Sequence, residues 1–139
     1  MTTNTKSIGV AYEDQNIIGA DKIYSASEFG YTADAQGTVT QLTDKSTAVT
    51  LNKSAGRITT VNTSLATGAT GVATFTLNNT YISSNDLLVV NVSGGGTAGA
   101  YTTYVSSMTT GSAAISLRNL SAGALSEAVI INFAIIHCQ

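Results

Sequence analysis

The sequence predicts an all-β protein, a sandwich or barrel of about eight strands preceded by an extended N-terminal arm. Three observations predict it. From residue 37 onward, short runs rich in Val, Ile and Thr recur between Gly, Asn and Ser clusters. Several of these runs alternate apolar and polar residues, the period-2 signature of a strand with one wet face. The first 36 residues differ in charge and lack any sustained period, which marks them as an arm over 1–36 before a sandwich domain over 37–139.

The strands follow in order. Val39 and Gln41 begin the first, and residues 48–51 form the next, stopped by Asn52. Residues 57–61 follow Gly56. In 72–77, Ala73, Phe75 and Leu77 share one face and Thr74 and Thr76 the other. Residues 87–92 are apolar on both faces, which predicts a central strand, and Gly94, Gly95 and Gly96 end it in a flexible turn. Residues 101–105 come next, with Tyr101 and Tyr104 on opposite faces, so one of the two is expected to be exposed. After the Gly111 turn, Ala113, Ile115 and Leu117 share a face. Residues 128–136 close the domain, with Val129, Ile131, Phe133 and Ile135 on one side and Ile130, Asn132, Ala134 and Ile136 on the other. Two strands that are apolar on both sides need a second cover, either a neighbouring subunit or the arm.

In the arm, the apolar anchors Ile8, Val10, Tyr12, Ile17, Ile18, Ile23, Tyr24 and Phe29 fit neither strand nor helix period for long. A short helix is expected at most around Ser25 to Phe29, too short to stand alone. Fully extended, the arm reaches about 100 Å. It holds five acidic and two basic side chains, net −3, against net +1 for the remainder.

Composition narrows the function. Charged residues are 10% of the chain against about 25% in an ordinary globular domain, so much of the surface is neutral and suited to burial in an assembly. With net charge −2 and no run of Lys or Arg, nothing is present to neutralise phosphates, and no nucleic-acid partner is expected. The start has no apolar core of a secretory leader. The longest apolar stretch, 128–136, is interrupted by Asn132 and is about half a membrane span, so no membrane partner is expected either. Cys138 is the only cysteine, which excludes an intrachain disulfide.

No constellation for chemistry emerges. His137 is the only histidine and neighbours Cys138, but a zinc site needs three or four ligands. As nucleophile and base the pair would diverge, because adjacent strand residues point to opposite faces. Glu13 and Asp14 are the only adjacent carboxylates. Asp44 and Asp86 fall at turns, where aspartate caps backbone groups. Glu127 precedes the last strand and has Arg118 as a candidate partner. The glycine run lacks the lysine and the helix of a phosphate loop. Glycan binding, which favours flat aromatic faces, has no tryptophan to use and only a Tyr-based platform. The sequence therefore predicts no catalytic residues, no metal, no cofactor and no enzyme.

Several runs carry a resemblance: GTVTQ at 37–41, KSTAVTLN at 45–52, GGTAGAY at 95–101, RNLSAG at 118–123 and LSEAVIINFA at 125–134. Together they resemble a structural module of tailed-bacteriophage virions, of the capsid decoration or cement type, and GVAYEDQ at 9–15 is similar to the start of some phage head proteins. The resemblance implies a jelly-roll structural protein, often a homotrimer, without catalysis, made in the host cytoplasm and carried on the virion. A shell position implies the major capsid protein as partner, with Tyr12, Glu13, Asp14, Ile17, Ile18 and Phe29 of the arm as contact residues. The alternative is a tail-fibre or tailspike-associated module that binds a receptor glycan.

Overall fold

The computed structural model describes residues 21–138. The chain divides into two units at Gly30/Tyr31. Of the first unit, residues 21–30 are described and all are exposed, Phe29 at 94%. The helix expected around Ser25 to Phe29 does not form. Ser25 Oγ instead donates to the Glu28 carbonyl at 2.8 Å and accepts from the Ser27 N–H at 3.3 Å. Such local hydroxyl bonds compete with a helical turn too short to nucleate.

The second unit is a β-sandwich. Its strands are β1 (Gln36–Thr40), β2 (Val49–Thr50), β3 (Ala55–Thr59), β4 (Ser64–Leu65), β5 (Val72–Asn78), β6 (Leu87–Gly94), β7 (Tyr101–Thr109), β8 (Ser112–Asn119), β9 (Leu125–Ser126) and β10 (Ile130–Ile136). One four-stranded sheet, A, has the order β1-β3-β10-β6, and the other, B, the order β2-β5-β8-β7. The pairs β1/β3 and β2/β5 are parallel and the rest are antiparallel. The two-residue strands β4 and β9 pair separately, and they are too short to leave a period in the sequence.

The alternation read from the sequence places the core. Ala73, Phe75 and Leu77 of β5 lie opposite Leu117, Ile115 and Ala113 of β8. Val129, Ile131, Phe133 and Ile135 are all buried, against Ile58 of β3 and Leu88 of β6. Each such side chain stabilises the fold by about 1.5–3 kcal/mol when fully buried. Gly37 and Gly56 are register partners in β1 and β3 and leave room for Leu51. A Cβ on Gly56 would stand 2.7 Å from Leu51 Cδ2 and 2.9 Å from the Gly37 carbonyl oxygen, so only glycine fits there.

The structure corrects one placement. The strand at 87–92 is not central: β6 is the outer strand of sheet A, with β10 on one side and no strand on the other. Its apolar outer residues are half exposed instead of covered. A strand apolar on both faces asks for a cover, and within the described residues that cover is absent on the outer side.

Candidate functional site

Three places gather polar or exposed groups, and each was assembled by residues distant in sequence. The first is at one end of the sandwich. Lys45 is buried, and its Nζ donates to the carbonyls of Val61 and Glu127, the latter at 2.6 Å. The Glu127 carboxylate accepts from the Thr97 N–H and, at 2.6 Å, from Thr97 Oγ1, with Tyr101 Oη at 3.4 Å. Those Thr97 bonds hold the Glu127 carboxyl below its usual range. Burial lowers the Lys45 ammonium pKa, with the Glu127 charge opposing it. Burial also raises the Tyr101 phenol, helped by Glu127. Glu127 thus serves Thr97, Tyr101 and Lys45 rather than Arg118. The glycine run is shaped around it: Gly95 and Gly96 have φ of +69° and +68°, and a Cβ on Gly96 would meet Glu127 Oε2 at 2.5 Å. Within this turn Gly96 lies against Glu127 and Tyr101, while residues 95–99 are exposed. With its ammonium spent on main-chain carbonyls, Lys45 is a strut between loops, not a free nucleophile or base.

The second place is the C-terminal clamp. Asp86 Oδ2 accepts from the Ser83 N–H at 2.8 Å and lies 3.0 Å from His137 Nδ1, while Oδ1 accepts from the Cys138 N–H at 3.2 Å. The first of these bonds, with the others, lowers the Asp86 pKa. His137 and Cys138 lie beyond the end of β10, and Cys138 Sγ is directed to the Ile136 carbonyl at 3.7 Å. The sequence placed Asp86 and Asp44 at turns, and both cap backbone there, Asp44 accepting from the Ser46 N–H at 2.8 Å. The meeting of Asp86 with His137 carries no sequence signal, because 51 residues separate them. Among the described residues no three His, Cys, Asp or Glu side chains come together to hold a metal ion, and no helix is long and apolar enough to cross a membrane.

The third place is the outer face of sheet A. Leu87 is opposite Ile136 and Val89 opposite Ala134. The three large members, Leu87, Val89 and Ile136, are 53%, 48% and 50% exposed and form one apolar stripe. Farther along, Ser93 Oγ donates to Asn132 Oδ1 at 2.9 Å. Beyond them lies a shallow depression of about 440 Å³ bordered by Gln36, Thr38, Arg57 and Asn132. The outer face of sheet B is of another kind. It carries Thr74, Thr76, Thr102 and Tyr104, and Ser116 is buried among hydroxyls, bonded to Thr74 Oγ1 at 2.7 Å and to Ser106 Oγ. Tyr104 is exposed and Tyr101 buried, as their opposite strand faces required.

Of the arm residues expected to make contacts, Phe29 is described and stands free in solvent, whereas Tyr12, Glu13, Asp14, Ile17 and Ile18 lie outside the described residues. No protein-family model, curated protein or solved structure matches this chain.

Proposed function

We propose that this protein is a capsid decoration (cement) protein of a tailed bacteriophage. It coats the outer surface of the shell formed by the major capsid protein and stabilises it, as an oligomer that the resemblance makes a trimer, and it catalyses nothing. The observation that carries this reading is the stripe of Leu87, Val89 and Ile136 on a sheet face whose strands β6 and β10 bear no charged side chain. Three half-exposed large apolar side chains in register are what a subunit presents when a neighbour is to cover them. The arm supports the reading in the same way. Ile23, Tyr24 and Phe29 keep large apolar surfaces in water, each with about 1–3 kcal/mol to gain from a complete cover. Tyr12, Glu13, Asp14, Ile17 and Ile18 extend that contact surface toward the N-terminus. Ordering the arm opposes this gain, so several arms must act together in one oligomer.

The test is copy number per purified virion, measured against the major capsid protein by quantitative mass spectrometry. Decoration of the shell requires an abundance comparable to the capsid subunit. A small fraction of that abundance would move the protein to the tail and make glycan recognition the leading reading, and absence from virions would sink both. For the arm, a chain lacking residues 1–30, which leaves the sandwich unit whole, should coat shells with reduced affinity; full retention would refute the arm's part.

A further inference from the structure

We infer that residues 13–18 of one copy dock on the outer face of sheet A of a neighbouring copy, with an arm carboxylate on Arg57 and an arm isoleucine on Ile136, Leu87 and Val89. This deepens the assembly reading above, and rests on it, by naming which part of one subunit meets which part of the next.

The receiving face has a polar end and an apolar end. Arg57 is the only charged side chain in the four strands of sheet A, and it is exposed. It stands in one register row with Thr38 of β1 and Asn132 of β10, and the three border the depression of about 440 Å³. Among the described residues Arg57 has no acidic partner, Thr38 Oγ1 makes no hydrogen bond, and Asn132 engages only its Oδ1, on Ser93. A guanidinium grips both oxygens of a carboxylate, and a hydroxyl and an amide N–H beside it complete the donor set. A lone cation also matches the single charge of a carboxylate better than the near-double charge of a phosphate. Along β10, Asn132, Ala134 and Ile136 share the outer face, with Val89 opposite Ala134 and Leu87 opposite Ile136. The apolar end therefore lies four residues, about 13 Å, from the polar one.

This face fits an extended chain that carries a carboxylate and a large apolar side chain four residues apart. An acidic sugar would meet Arg57 but bring nothing aliphatic to Leu87, Val89 and Ile136. The arm supplies the pattern. Of its acidic residues Glu13, Asp14, Asp21, Glu28 and Asp34, only Glu13 and Asp14 have isoleucine four positions on, at Ile17 and Ile18; the others have Ser25, Thr32 and Thr38 there. Alternate residues of an extended segment share a side, so one side of 13–18 reads Glu13, Gln15, Ile17 and the other Asp14, Asn16, Ile18. Either side, laid along β10, sets an acid over Arg57, an amide over Ala134 and an isoleucine over Ile136. The overall charges are complementary too, net −3 over 1–36 against net +1 for the remainder. Extended, the stretch from Asp14 to Gly30 reaches about 50 Å, enough to pass from one subunit to the next. Within an oligomer the neighbour's arm is held at a high effective concentration.

Light scattering on the full-length protein across a concentration series tests this. The wild type should give an integral multiple of the 14.2 kDa chain mass. Arg57→Glu and Glu13→Lys/Asp14→Lys should each raise the dissociation constant by about tenfold or more, with circular dichroism spectra unchanged. Mixing these two variants in equal amounts should restore association, because the basic arm of one then meets the acidic face of the other. Arg118→Glu, the same change of charge at the exposed arginine of sheet B, should leave the constant unaltered. A monomeric wild type, an Arg57→Glu variant that associates as tightly as the wild type, equal weakening by Arg118→Glu, or a mixture that stays dissociated would each overturn the contact. An Arg57→Glu variant that keeps its oligomer but coats shells poorly would assign the depression to the capsid protein and overturn it as well. Virion copy number of the wild type is measured separately, so failure of this contact and failure of the decoration reading are told apart.

Discussion

The outer faces of the two sheets are built from the same strand alternation and end with opposite chemistry. On sheet B the residues that turn outward include hydroxyls that bond to one another, with Ser116 at the centre of a Thr74–Ser116–Ser106 network. Cross-strand hydroxyl pairs of this kind finish a sheet surface for water. On sheet A the outward residues of β6 and β10 include Leu87, Val89 and Ile136, which no described residue covers. The inner faces are alike, both buried and apolar. The difference teaches that one outer face of this sandwich bonds within itself while the other leaves large apolar side chains half exposed.

The contrast can be broken or sharpened by substitution. The largest effect belongs to neighbouring positions on β10. Ile135→Ala should cost about 2–5 kcal/mol of folding stability in denaturant titration, since Ile135 is wholly buried. Ile136→Ala, one residue on and facing out, should leave chain stability within about 0.5 kcal/mol and weaken association instead. Equal losses at both would mean that the outer face is covered within one chain. Next in size is Ser116→Ala, which should cost about 1–2 kcal/mol because it leaves the Thr74 and Ser106 hydroxyls without their shared partner. A neutral result would show that the network on sheet B contributes nothing.

Smaller is the response to acid. Hydrogen bonds lower the carboxyl pKa of Asp44, Asp86 and Glu127. A group whose pKa is lower in the folded state adds stability above its unfolded value and loses it as the pH falls through the folded one. The melting temperature should therefore drop as the pH is taken below about 4, and Asp86→Asn should flatten that drop. Smallest should be the response of assembly to salt. A mostly apolar contact with one ion pair should weaken only modestly from low to high sodium chloride, whereas complete dissociation by salt would assign it to ion pairs alone.

Much of the fold was legible because alternation survives wherever a strand is longer than a few residues. The Ala73-Phe75-Leu77 set was grouped on one face without any structure, whereas 128–136, apolar on both sides, did not say which face would be buried. β4 and β9, at two residues each, leave no period to read. The misplacement of β6 has a physical cause: a strand apolar on both faces reads the same whether it lies inside a sheet or at its edge with one face half exposed. The site was less legible. That Glu127 turns to Thr97, and Asp86 to His137, depends on which loops the sandwich brings together, and local sequence carries no record of that. Aspartate at turns was readable, because that preference is local.

The claim that sheet A is the unfinished side is tested most directly by hydrogen–deuterium exchange of the full-length protein at rising concentration. The account predicts that peptides covering residues 87–94 gain protection as concentration increases while those covering 101–109 do not. Exchange at 87–94 that is independent of concentration, or protection that grows equally on both edge strands, would contradict it.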